Sequence, residues 1–206
     1  MITTASGQSK LLADLRQLMA KTGFDGWIVG REDMYQGEEV PASEERLAYI
    51  SGFTGSAGFA VVLAEMASLF SDGRYKLQME VQASKDDWQV NTISDASFED
   101  WLRAAKLPDG FVIGIDGWLV SVSGFDRLER SILGAGGKLV SHPVNLLDAL
   151  WPDRPVQLPG AIWQMPQKFA GKTVAEKLDD LEKKLDDKEC DAVLITRADS
   201  LNWLLN

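Results

Sequence analysis

Helical and strand-like patterns take turns along the first three quarters of this sequence, and that alternation constrains the fold more than any other feature. In "SKLLADLRQLMAKTG", Leu11, Leu12, Leu15, Leu18 and Met19 fall on one helical face; Ser9 is the expected cap and Gly23 the expected exit. The short apolar run "GWIVG" reads as a buried strand. "PASEERLAYISG" places Pro41, a Ser43 cap and two glutamates at the start of a second helix, where the helix dipole favours acidic groups. "GFAVVLAEMASLFSD" reads as two strands about a tight connection. In "DGRYKLQMEVQ" strand and helix spacings compete, and Asp72 as a cap decides for helix. "WQVNTI" then reads as a strand and "SFEDWLRAA" as a helix capped by Ser97, with Phe98, Trp101, Leu102 and Ala105 as its stripe. "FVIGID", "SGFDRLERSILGAGG" and "KLVSH" continue as strand, helix and strand. Such an order implies an α/β layer, with helices on both faces of a mixed, mostly parallel sheet.

The character changes between residues 152 and 171, where Pro152, Pro155, Pro159 and Pro166 interrupt a stretch without apolar periodicity, the pattern of an interdomain linker. From residue 172 a helix is expected, with Val174, Leu178, Leu181 and Leu185 on one side. Asp179/Lys183 and Asp180/Lys184 form i, i+4 pairs on the other. "AVLIT" should follow as a strand. At an offset of 166 residues, "FDGWIVGRED" lies over "CDAVLITRAD", pairing Asp25 with Asp191, Arg31 with Arg197 and Asp33 with Asp199. A duplicated domain is the reading adopted: residues 1–151 form the first copy and residues 172–206 begin a second, incomplete one. The chain is therefore expected to be a piece of a longer protein.

Composition excludes several functions. The net charge is -10, with no basic cluster, so no nucleic-acid partner is expected. No stretch approaches the roughly eighteen apolar residues of a membrane span, and the N-terminus lacks a signal-peptide pattern. A single cysteine, Cys190, forbids an internal disulfide and suits the cytoplasm; its position at a helix-to-strand turn suggests a small buried residue. One histidine, His142, cannot supply a two-histidine metal site and reads as structural. The paired acids Asp86/Asp87, Asp179/Asp180 and Asp186/Asp187 read as solvated faces rather than metal ligands.

Gly52, Gly55 and Gly58 punctuate "YISGFTGSAGFAVVL" at a spacing of three. The stretch lacks the Lys-Ser/Thr of a P-loop, the G-x-S-x-G of a nucleophile elbow and the spacing of a dinucleotide fingerprint. It describes a tight irregular loop with small side chains and one large one, Phe53, either packed into the core or displayed outward.

"RLAYISGFTGSAGFAVVL", "LFSDGRYKLQMEVQ", "ALWPDRP" and "RADSLNWLLN" together resemble the N-terminal region of cytosolic-type Xaa-Pro aminopeptidases, within the creatinase/prolidase superfamily. The resemblance implies a creatinase N-terminal-like domain followed by the start of a similar one. It also implies a separate pita-bread catalytic domain with two divalent metal ions, usually manganese, bound by two Asp, one His and two Glu. None of those ligands matches a position in this chain, so no catalytic residue and no metal ligand is assigned here. The implied activity removes the N-terminal residue from peptides with proline second, in a cytoplasmic homodimer. This part is then non-catalytic and contributes to substrate access and assembly. The resemblance makes Phe53, Thr54, Gly55, Ser56 and Arg74 candidates for lining the substrate cleft, Arg74 alternatively holding Asp72 in a turn. A non-enzymatic interaction module, or another substrate such as a dipeptide or creatine, stays open as the alternative.

Overall fold

The computed structural model describes residues 5–206 other than 94–97 and 158. Helix α1 (Ala5–Thr22) leads into β1 (Gly26–Gly30), followed by α2 (Arg46–Ser51) and the antiparallel pair β2 (Phe59–Leu63) and β3 (Ala67–Ser71). A 3-10 turn at Gly73–Tyr75 runs into α3 (Lys76–Gln82); β4 (Gln89–Thr92), α4 (Phe98–Ala104), β5 (Val112–Asp116), α5 (Val122–Gly134) and β6 (Lys138–His142) complete the alternation. The six strands lie in the order β4-β3-β2-β1-β5-β6. Only β2 runs against its neighbours; the β3/β4, β1/β5 and β5/β6 pairs are parallel. The mixed, mostly parallel sheet is as expected.

Two apolar layers sandwich the sheet, because alternate strand residues point to opposite faces. Trp27, Val29 and Val62 meet Leu12 and Leu15 of α1, Leu47 and Ile50 of α2 and Met79 of α3 on one side. Ile28, Val61 and Ile115 meet Trp101 and Leu102 of α4 and Ile132 of α5 on the other. The competing spacings of α3 resolve here: Met79 is buried, whereas Leu77 and Val81 face outward. His142 stands edge-on to Phe24 and Trp27 and bonds the Val144 backbone through Nδ1, a structural position.

Two expected caps come out differently, and a third falls where nothing is described. Ser9 lies inside α1, which begins at Ala5, and its hydroxyl donates to Asp87. Ser97 lies outside the described residues. Ser43 does not cap α2; Glu45 precedes the helix without a side-chain cap bond. The reason is a charge network that fixes the preceding segment. Arg46 pairs with Asp148 (Nε–Oδ1 2.7 Å) and Glu44, and Arg154 pairs with Glu44 and Asp148 while its Nε donates to the Ser43 carbonyl. Burial alone would lower the Arg46 pKa, but the hydrogen bonds to Asp148 and Glu44 outweigh it and raise the pKa. Trp151 stacks on Tyr49 at 4.2 Å. The chain thus remains attached to the first sheet layer as far as Arg154, three residues beyond the boundary expected from the prolines.

Past that anchor, α6 (Gln167–Ala170), α7 (Val174–Asp187) and α8 (Ala198–Leu205) are the remaining regular elements among the described residues. A reciprocal capping box between Thr173 and Glu176 starts α7. Asp180 pairs with Lys172 rather than with Lys184. "AVLIT" forms no strand; Leu194 is 86% exposed, because no neighbouring strand takes its backbone donors and acceptors. Cys190 is exposed rather than buried for the same reason: no sheet edge covers the turn that carries it.

Candidate functional site

The glycine-spaced stretch links the end of α2 to β2. Gly52 closes α2 in the left-handed region (φ 78°), its N–H bonding the Ala48 carbonyl at 2.8 Å. Phe53 then turns inward and is 1% exposed, packed edge-to-face on Tyr75 at 5.8 Å between centroids. Gly55 makes this possible: a Cβ there would stand 2.2 Å from Phe53 Cζ and 2.7 Å from Tyr75 Cδ1. The loop therefore closes over its own aromatic residue, and Phe53 does not present its ring to a cleft. That corrects the displayed reading. Packing of the Phe53 ring against Tyr75 and the α2 face buries more apolar area than a loop tip could.

The polar side chains of the loop are tied to α3. Thr54 accepts at Oγ1 from Gln78 Nε2 (3.1 Å) and Gln82 Nε2 (2.9 Å), while its backbone N–H donates to Gln82 Oε1 (3.0 Å). Ser56 and Tyr75 share a hydroxyl–hydroxyl bond of 2.7 Å. Sequence reasoning missed Gln78, Gln82 and Tyr75, although the helical spacing of Gln78 and Gln82 placed them on one face. Arg74 forks onto Asp72, Nε to Oδ1 at 3.0 Å and Nη2 to Oδ2 at 2.8 Å, and lies 5.2 Å from the Tyr75 ring centroid. This hydrogen-bonded pair holds the Asp72 carboxyl below its ordinary range and raises the Arg74 pKa. Asp72 also caps the turn, taking the Arg74 N–H at 2.9 Å.

Phe53 and Gly55 are therefore buried supports; Thr54, Arg74 and, in part, Ser56 form the surface. The arrangement is a hydrogen-bonded rim carrying one guanidinium held toward Asp72. Among the described residues no group of three or more His, Cys, Asp or Glu could hold a metal ion. No helix among them is long and apolar enough to cross a membrane.

Aminopeptidase P1 of Lotus japonicus is 40% identical over 197 residues, covering 95% of this chain and 30% of that protein. Aminopeptidase P1 of Arabidopsis thaliana is 36% identical over 200 residues, with 96% and 31% covered. The chain thus spans about a third or less of the curated relatives it matches. The crystal structure of X-prolyl aminopeptidase from Caenorhabditis elegans, described as a cytosolic enzyme with a di-nuclear active site, superimposes with a TM-score of 0.82 at 30% identity, over 96% of this chain and 34% of that one. Two family profiles, both described as Creatinase/Prolidase N-terminal domain, match residues 12–148 and 153–206. The chain belongs to the creatinase/prolidase N-terminal domain family.

Proposed function

We propose that this chain is the N-terminal, non-catalytic part of an Xaa-Pro aminopeptidase, a hydrolase that removes the N-terminal residue from peptides with proline in second position. Similarity to aminopeptidase P relatives across nearly the whole chain carries this reading. Among the described residues no carboxylate, histidine or cysteine cluster fits a metal centre, and this proposal assigns the two divalent ions, manganese here, to the catalytic portion of the protein. The contribution of this chain is positional. The Thr54–Ser56 rim and Arg74 border the substrate end of the cleft, where the guanidinium meets a peptide carbonyl or carboxylate, while Phe53 and Gly55 hold the loop rigid from beneath. Outward-facing Leu77 and Val81 on α3, beside this loop, supply an apolar contact for a homodimer in the cytoplasm.

A chimera joining residues 1–206 to the remaining chain of the Lotus japonicus relative tests this. With manganese it is expected to release the N-terminal residue of Xaa-Pro peptides, whereas the 206-residue chain alone releases none. Arg74→Ala in the chimera should lower kcat/KM about tenfold, roughly 1.4 kcal/mol of transition-state binding, with an unchanged melting temperature. Metal-dependent release by the chain alone would overturn the non-catalytic assignment. Unchanged kcat/KM in a folded Arg74→Ala chimera would overturn the substrate-rim assignment.

A further inference from the structure

A second feature lies on the face of the sheet opposite the Phe53 core and shares only Gly58 with the glycine loop. From β1 the chain builds outward through β2, β3 and β4, then crosses back to place β5 on the other side of β1. Helices α2 and α3, which serve the outward half, pack on one face; α4 and α5, which serve the return, pack on the other. The carboxyl ends of β1 and β5 thus diverge at a topological switch point, the place where open α/β sheets leave a crevice for ligands. A cleft of about 440 Å³ opens there, bordered by Gly30 and Asp116 at the two strand ends.

Its walls are mostly apolar, from Ile28, Phe59, Phe70, Phe98 and Leu128. Asp116 and Asn145 also line it, and both are buried, Asp116 at 7% exposure. The carboxylate accepts from the Trp118 N–H at 3.0 Å and from Asn145 Nδ2 at 3.3 Å. Those two bonds leave lone pairs unused. Among the described residues no Lys, Arg or His stands within 4.0 Å of it, in contrast to Glu44 and Asp148, which share two arginines. Asp116 caps the turn at Gly117–Leu119 and still faces the cleft with acceptor capacity that a cationic hydrogen-bond donor could take. Glu32 and Arg127, also at the cleft, are more exposed and opposite in sign, so Asp116 sets the charge of the interior.

Backbone strain marks the same place. Gln36, which lines the cleft, has φ 54°, and its Nε2 donates to the Asp33 carbonyl at 3.0 Å and the Leu119 carbonyl at 3.1 Å. It straps the segment after β1 to the segment after β5. Of the described non-glycine residues with positive φ, Gln36 is the one at the cleft.

We propose that this cleft binds a small apolar amine, its ammonium group on the Asp116 carboxylate and its hydrocarbon part against Phe59, Phe70 and Leu128. The volume lies within the roughly 300–1,000 Å³ of small-molecule sites, at the small end. This inference is independent of the aminopeptidase reading, and its test needs no activity.

The probes are 2-phenylethylamine, 2-phenylethanol and 3-phenylpropanoate, titrated into the full 206-residue chain with backbone amide chemical shifts and calorimetry as readouts. The amine is expected to bind saturably, shifting Asp116, Ser121, Gly124 and Leu128, with the alcohol at least about tenfold weaker and the carboxylate weaker still. Asp116→Asn should reduce the amine to the level of the alcohol and leave the alcohol unchanged. Leu128→Trp, which fills the cleft, should abolish binding of both. If Asp116→Asn does not fold, the amine-to-alcohol ratio on the unaltered chain decides. An amine that binds no better than the alcohol, shifts no resonance at the cleft, or binds Asp116→Asn as tightly would overturn the proposal.

Discussion

Residues 24–33 and 190–199 carry nearly the same pattern of acid, apolar run, arginine and acid, yet they end in different structures. In the first, Trp27, Ile28 and Val29 form the middle of a strand paired on one side with β2 and on the other with β5, and all three are buried. In the second, Val193 and Leu194 stand exposed in a segment without regular structure. The equivalent acids diverge as well. Asp25 accepts the Val112 N–H at 2.8 Å, bracing β5, and Asp33 holds a turn through Tyr35 and Gly37; Asp199 takes only its neighbour Ser200 and the Arg197 fork. A local sequence can request a strand, but the ladder that makes one comes from elsewhere in the chain. Helices differ in this respect, because their hydrogen bonds are internal. That is why α7 forms with its capping box and binds α8 through Lys177, whose ammonium bonds the Trp203 carbonyl and Asn206.

The largest expected contrast between the two regions is in stability. Phe53→Ala removes a fully buried ring and should lower the unfolding free energy by roughly 3–5 kcal/mol. Leu194→Ala removes an exposed side chain and should change it by no more than about 0.5 kcal/mol. Chemical denaturation of the two variants measures both. Equal losses would mean that residues 190–199 are packed after all.

A smaller effect follows from acid. Hydrogen bonds from the Thr173 backbone and hydroxyl depress the Glu176 pKa, and the bond from Lys172 depresses that of Asp180. A carboxylate with a lowered folded pKa stabilises above its unfolded value, and that stabilisation fades as pH falls through the folded one. Helix α7 should therefore lose helical chemical shifts as pH drops below about 4, while α1, held by buried Leu12 and Leu15, keeps its own. Thr173→Ala, at about 1 kcal/mol for a lost cap, should weaken α7 at neutral pH and flatten this acid step.

The first sheet layer was legible in the sequence because burial there is dense enough for periodicity to report it. The apolar stripe of α1 and the paired runs of β2 and β3 come out as expected, whereas Asp72 caps the 3-10 turn Gly73–Tyr75 and α3 follows Tyr75 without a side-chain cap bond. What stayed hidden depends on distant partners. The Arg46 and Arg154 network joins residues more than a hundred positions apart, and it displaced the Ser43 cap. At the candidate loop, glycine spacing announced a tight turn but could not say which way Phe53 faces; that follows from Tyr75, which Gly55 leaves room for. The switch-point cleft is a property of strand order, which no local pattern encodes.

Residues 26–30 are held by neighbouring strands and residues 192–196 are not. Amide hydrogen exchange of the 206-residue chain at neutral pH tests it in one experiment. Amides of Ile28 and Val29 are expected to exchange only through global unfolding, whereas those of Val193, Leu194 and Ile195 exchange at near-unprotected rates. Comparable protection in the two segments would mean that residues 192–196 are held in a strand ladder as well.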